Sequence, residues 1–244
     1  MIDTEPFKQT KLFGLDNFFN ELIRLYKIDK LPNKLLLSGP KGLGKSTLAY
    51  HFINYVLSKN EDNKYDFDKT TINENNKSYK LIKNGTSPNF MLVDVSEDKK
   101  FIDIFQIRKI ISELKKSSFN TKPRFILIDN IELLNNNSVN ALLKVLEDQI
   151  FNTFFILINN NKKVLQTLSS RCLNYKISLS NQDSLFILEK MLGNNLYNFI
   201  NPELVNYYLT PGKIYRLIDF AKEINLNISN IKLKDFLSLL IKDN

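Results

Sequence analysis

The sequence predicts an α/β protein: a three-layer α/β/α sandwich around a mainly parallel five-stranded sheet, followed by a small all-helical unit. Three observations carry this. Five short apolar runs, at residues 35–38, 90–95, 125–129, 154–158 and 173–179, alternate with stretches of helical period. A glycine-rich loop separates the first run from the first well-formed amphipathic helix. After residue 180 the strand signals stop while helical periods continue.

Most of the five runs are continuously apolar rather than alternating, which is the pattern of strands covered on both faces. Between them, Leu48, Phe52 and Val56, with Ala49, Ile53 and Leu57 beside them, recur at helical spacing. Ile104, Ile107, Ile111 and Leu114 do the same, as do Val139, Leu142, Leu143 and Leu146. Strand and helix signals in strict alternation give a parallel sheet with helices on both faces. Residues 60–84 break the rhythm: they are polar and rich in Asn, Lys and Asp, and read as a mobile insertion outside the core. Helical periods return at 183–192, 196–209 and 213–224, punctuated by Pro202 and the Pro211-Gly212 pair, and 231–241 forms one more amphipathic stretch. The expected organisation is an α/β domain over 1–180, a helical domain over 181–228 and a terminal segment over 229–244. No internal repeat is present.

With 244 residues and 43% apolar content, the chain can build one full core and a smaller second one. No run approaches the roughly 18 apolar residues of a membrane helix, and the N-terminus lacks the basic-then-apolar pattern of a signal peptide. The expectation is a soluble cytoplasmic protein with no membrane partner. The single cysteine, Cys172, excludes an internal disulfide framework and a cysteine-rich zinc module. A net charge of +8 suits a polyanionic partner such as nucleic acid, yet the abundance of Asn, Ile and Lys is equally what AT-rich coding produces.

The loop itself reads Gly39-Pro40-Lys41-Gly42-Leu43-Gly44-Lys45-Ser46-Thr47 and satisfies G-x-x-x-x-G-K-[S/T]. Its glycines let successive N–H groups turn inward, and the helix that starts near Lys45 adds the positive end of its dipole, so a multiply charged phosphate is held mainly by backbone. Lys45 reaches the β and γ phosphates, and the Ser46 hydroxyl completes a magnesium shell. The ligand expected is therefore ATP with Mg2+. The run ending in Asp129 has the form of a Walker B strand, whose carboxylate holds the cation through water. The next position commonly carries a glutamate that polarises the attacking water; here it is Asn130, and an amide cannot accept a proton as a general base.

Four further segments narrow the reading: FIDIFQIRK at 101–109, IDNIELLNNNSVNALLKVLE at 128–147, TFFILI at 153–158 and TLSSRC at 167–172. Together with the loop they resemble the clamp-loader branch of the AAA+ ATPases, and within it the delta-prime family of bacterial DNA polymerase III, over about residues 8–180. The resemblance implies a subunit of a hetero-oligomeric ring that places a sliding clamp on primed DNA, with the other loader subunits as partners. Ser170-Arg171-Cys172 matches the family's SRC motif, which makes Arg171 an arginine finger for the neighbouring subunit's nucleotide. Asn159 falls at the sensor 1 position, and Lys213 and Arg216 lie near the sensor 2 position without clear register.

The chain departs from the family in three ways. It carries the Asn-rich insertion where many relatives have a zinc module. It leaves little room for a collar domain beyond the helix at 231–241, as a truncated chain or one that makes its ring contact differently would. It also keeps a nucleotide loop that some delta-prime subunits have lost. Two alternatives stay open: a structural ring member that does not hydrolyse, and an independent P-loop ATPase or kinase. His51 reads as a partly exposed helix residue, Cys172 as a packed thiol, and the Lys115-Lys116 and Lys162-Lys163 pairs as solvated charge.

Overall fold

Alternate residues of three central strands enter two different hydrophobic cores, and this is what turns continuous apolar runs into a sandwich. The computed structural model describes residues 5–96, 99–116, 120–160, 164–205 and 209–242. The strands are β1 (Lys34–Ser38), β2 (Phe90–Val93), β3 (Arg124–Ile128), β4 (Thr153–Asn159) and β5 (Leu173–Lys176). All pair in parallel, in the order β2-β3-β4-β1-β5. Leu35 and Leu37 of β1, Phe125 and Leu127 of β3, and Ile156 and Ile158 of β4 face one helical layer, made by α1 (Asp16–Lys27), α2 (Lys45–Leu57) and α3 (Lys77–Lys83). Leu36, Ile126, Ile128, Phe155 and Leu157 face the other, made by α4 (Ile104–Leu114), α5 (Asn136–Glu147) and α6 (Gln166–Ser169). Burying each such side chain stabilises the fold by roughly 1.5–3 kcal/mol.

The edges differ from the expectation of fully covered strands. Leu92 on β2 and Leu173 on β5 are exposed, because an edge strand has one neighbour and an incomplete helical cover. The larger correction concerns residues 60–84. This segment is packed: Tyr65, Ile72, Tyr79 and Ile82 lie buried in the same core as α1 and α2. Asn76 caps α3 by accepting from the Tyr79 N–H, and its amide exchanges hydrogen bonds of 3.3 and 3.4 Å with buried Asn54. Widely spaced apolar residues in an Asn-rich background hid the anchoring.

The helices after Ser180 share a core of their own, built from residues such as Leu188, Ile214, Tyr215, Ile218 and Phe236. They are α7 (Asn181–Leu192), α8 (Pro202–Val205), α9 (Pro211–Glu223) and α10 (Leu233–Lys242). A reciprocal box between Ser180 and Asp183 starts α7. The helix expected at 196–209 is instead a 3-10 turn at Leu196–Asn198 and the short α8, with residues 206–208 outside the described set. Helix α9 begins earlier than its apolar period suggests, since Pro211 lacks the N–H that the first helical position leaves unused.

Candidate nucleotide site

The strand-to-helix connection from β1 to α2 forms the floor of a cavity of about 540 Å³, a size suited to a nucleotide. Its walls come from the N-terminal strap at residues 6–15, the ends of β2, β3 and β4, and helices α7 and α9. The loop adopts the conformation its glycines permit: Gly42 and Gly44 hold φ of 91° and 84°, and Gly44 immediately precedes the first turn of α2.

Lys45 is 3% exposed, and its ammonium donates to the carbonyls of Gly39 and Pro40 at 2.8 Å each and to Asn160 Oδ1 at 3.0 Å. Burial lowers its pKa to about 8, against the opposing pull of the Asp129 and Glu132 carboxylates and with a smaller push from Lys41. Ser46 Oγ donates to Asp129 Oδ2 at 2.5 Å, and the other carboxylate oxygen accepts from the Asn130 N–H at 2.8 Å. Burial raises the Asp129 pKa, partly offset by the Ser46 hydrogen bond, while the charge of Asp94 adds to the rise. A hydroxyl and a carboxylate this close are hard oxygen donors of the kind magnesium prefers, and the inward loop with Lys45 suits a polyphosphate.

Asn130 sits in the left-handed region at φ 53°, which asparagine tolerates, and its side chain links two strands. Its amide donates to Asp94 Oδ1 at 2.7 Å, and its oxygen accepts from Asn160 Nδ2 at 2.8 Å. A polar chain thus runs from Asp94 through Asn130 and Asn160 to Lys45. The side chain that meets the loop lysine after β4 belongs to Asn160. Asn159, the residue singled out from the sequence, is a strand residue paired in register with Ser38, and its carbonyl accepts from the Gly39 N–H. The pleat sends neighbouring side chains to opposite sides, so one position decides which of them faces the cavity.

Sequence reasoning missed several lining residues. Asp94, at the end of β2, is an isolated carboxylate with no motif around it. Lys213 and Arg216, which the sequence did single out, are one turn apart on α9 and both line the cavity. Gln9, on the strap itself, lines it too. Its carbonyl is held by His51, which is fully buried rather than partly exposed. The ring donates through Nε2–H to the Gln9 carbonyl at 3.0 Å, because a carbonyl can only accept, and Nδ1 therefore accepts from the Tyr65 hydroxyl at 2.8 Å.

Residues 14–181 match the family described as DNA polymerase III, delta subunit. The chain belongs to this clamp-loader family. It is 25% identical over 236 residues to the DNA polymerase III subunit gamma of Buchnera aphidicola subsp. Schizaphis graminum, covering 94% of this chain and 62% of that protein. It is 27% identical over 162 residues to the subunit delta' of the same organism, covering 66% of this chain and 47% of the relative. To the delta' subunit of Pseudomonas aeruginosa it is 29% identical over 138 residues, covering 56% and 40%. The chain thus spans about half the length of these relatives.

In this clamp-loader family member, Arg171 lies outside the cavity that Lys45 floors. Its guanidinium donates to Glu147 Oε1 at 2.6 Å and to the Thr167 carbonyl at 2.7 Å, with a third of the side chain exposed. Cys172 packs against the core of α4 and α5, and burial pushes its thiol up to about 11, so it stays protonated at neutral pH. Lys115 and Lys116 are exposed at the end of α4, where Lys116 pairs with Glu113; Lys162 and Lys163 lie outside the described residues. Among the described residues no cluster of His, Cys, Asp and Glu could hold a metal without a nucleotide, and no helix is long and apolar enough to cross a membrane.

Proposed function

We propose that this chain is an ATP-binding subunit of a bacterial DNA polymerase III clamp loader, acting in the cytoplasm within a hetero-oligomeric ring that places a sliding clamp on primed DNA. The observation that carries the nucleotide part is the buried Lys45 on a glycine loop, beside the Ser46–Asp129 pair in a cavity of nucleotide size. The loop 39–47 holds the phosphates through backbone N–H groups, Lys45 neutralises them, and Ser46 and Asp129 hold Mg2+. The cation, when bound, offsets phosphate charge and fixes the geometry of the triphosphate. Lys213 and Arg216 approach from α9, so the C-terminal helices act as a lid whose position reports on the ligand.

Arg171 serves a neighbouring subunit's nucleotide. It is remote from this chain's own cavity, and its exposed ion pair with Glu147 costs little to exchange for a phosphate. Asn130 favours binding over turnover by this chain alone, since neither its amide nor that of Asn160 can take a proton. A structural ring member that binds nucleotide without hydrolysing it is thus the second reading. Calorimetric titration with Mg-ATP tests the first: binding abolished in Lys45→Ala supports it, and no binding by the native chain overturns it. Co-purification with the gamma and delta subunits of the same organism, read by native mass, tests the assembly.

A further inference from the structure

Water that attacks a phosphorus must give up a proton, and the amides of Asn130 and Asn160 cannot take it. The cavity nevertheless holds a group that can. Among the described residues that line it, two are carboxylates, Asp94 and Asp129. Asp129 is already engaged through both oxygens, one with the Ser46 hydroxyl and the other with the Asn130 N–H. The remaining carboxylate is Asp94, the residue that follows β2.

Asp94 is held in place without being used up. Its Oδ1 accepts from the Asn130 side-chain amide and from the Val95 N–H, each at 2.7 Å. Both bonds end on the same oxygen, so among the described residues no donor occupies Oδ2, and the side chain is only partly buried. The backbone sets this arrangement. Val93 pairs in parallel register with Ile128, and the Asp129 N–H donates to the Val93 carbonyl at 2.9 Å, which brings the residues after the two strands together. The charge of Asp94 is close enough to help raise the pKa of Asp129. Glu132 also acts on Lys45, but it does not line the cavity and its carboxylate accepts from the Asn160 N–H at 3.3 Å.

Resting on the nucleotide reading above and going beyond it, we propose that Asp94 is the general base for ATP hydrolysis by this chain and that Asn130 positions it. As the water oxygen bonds to the γ-phosphorus, Asp94 Oδ2 takes one proton from that water. The bond from the γ-phosphorus to the bridging oxygen breaks, and ADP leaves with the electron pair. Asp94 then returns the proton to the released phosphate, so water is the only co-reactant. Asn130, which cannot act as a base, orients the group that does. Turnover by the isolated chain is slow because no neighbouring subunit brings an arginine to the phosphates.

The test is single-turnover cleavage of Mg-ATP by excess full-length chain, with calorimetric affinity and thermal midpoint measured on the same proteins. Asp94→Asn retains an oxygen for both hydrogen bonds, so affinity and midpoint are expected to hold while cleavage falls by about a hundredfold or more, the contribution of a general base. Asn130→Gly suits the left-handed backbone at that position and is expected to slow cleavage by about tenfold with affinity kept. Cleavage kept in Asp94→Asn, or lost in Glu132→Gln instead, overturns the inference, as does a loss in Asp94→Asn that affinity shares. No cleavage by the native chain overturns it too, while binding that Lys45→Ala abolishes leaves the nucleotide reading standing. Absence of binding by the native chain overturns both.

Discussion

The backbone N–H of Gly212 donates to the carbonyl of Gly42 at 2.9 Å, so the first turn of α9 rests directly on the middle of the phosphate loop. Beside it the Thr210 hydroxyl donates to the Lys41 carbonyl at 2.6 Å. The contact admits no side chain. A Cβ on Gly42 would lie 2.3 Å from Thr210 Oγ1, and one on Gly212 would lie 3.0 Å from both Cα and O of Gly42. The phosphate loop and the start of α9 are therefore packed backbone against backbone.

This contact makes Thr210 a measurable hinge. Thr210→Val removes the hydroxyl at nearly constant volume and should cost about 1 kcal/mol, while Thr210→Ser should cost much less. Hydrogen exchange in α9 should speed up in the valine variant and not in the serine one. Equal protection in both would show that the hydroxyl holds nothing.

Gly212→Ala should act on the ligand rather than on the fold alone. The new methyl must displace the loop backbone by a few tenths of an ångström, and the phosphate-binding N–H groups move with it. Nucleotide affinity should fall several-fold, by about 1 kcal/mol, with a smaller change in thermal midpoint. A variant that loses midpoint but keeps affinity would separate the two.

Lys45 sets the pH dependence of binding. Its pKa near 8 in the free chain comes from burial, and a bound triphosphate favours the charged form and raises that value. Above about pH 8 the chain must take up a proton to bind. Affinity should hold steady below that pH and fall as pH rises, by up to about tenfold per unit until the pKa of the complex is reached. Titrations in buffers of different ionisation heat should show proton uptake at pH 8.5 and little at pH 6.5; a flat result would remove Lys45 from the phosphate contact.

His51 should make the fold sensitive to acid. Burial lowers its pKa to about 4, only partly countered by its bond to the Gln9 carbonyl, against about 6.5 in the unfolded chain. The unfolded state binds the extra proton in that window, so stability is present above about pH 6.5 and is lost as pH falls toward 4. The loss is on the order of 3 kcal/mol. Denaturant midpoints should drop less between pH 6.5 and 4 in His51→Gln than in the native chain, and parallel curves would refute the assignment.

What the sequence reveals and conceals follows from range. Runs that feed two cores, such as Phe125 with Ile126, announce themselves within five residues, and the loop spacing is local as well. The contacts of the strap and of the start of α9 are not local: Thr210 meets Lys41 across 169 positions, and His51 meets Gln9 across 42. Tyr65 and Ile72 carry no period because each anchors a coil rather than a helix face, so composition alone marks their segment as loose. Asn159 and Asn160 differ only in the side of the pleat they occupy, which three consecutive asparagines cannot disclose.

Arg171 offers the prediction with most bearing on assembly. Its pairing with Glu147 is exposed on both sides, so the bond contributes less than about 1 kcal/mol and Glu147→Gln should leave the thermal midpoint nearly unchanged. The same substitution frees the guanidinium, whose remaining contact is the Thr167 carbonyl one helical turn earlier. In an assembled loader Arg171→Ala should lower DNA-stimulated hydrolysis by about a thousandfold at the site it serves, the low end of what such an arginine supplies. This chain's own ATP affinity should not change, because the guanidinium does not line its cavity. Glu147→Gln should keep the hydrolysis that Arg171→Ala loses. An assembled rate indifferent to Arg171→Ala would mean that the side chain is held by Glu147 for the fold's sake, as a strut between α5 and α6, and that the neighbour's phosphate is met by some other cation.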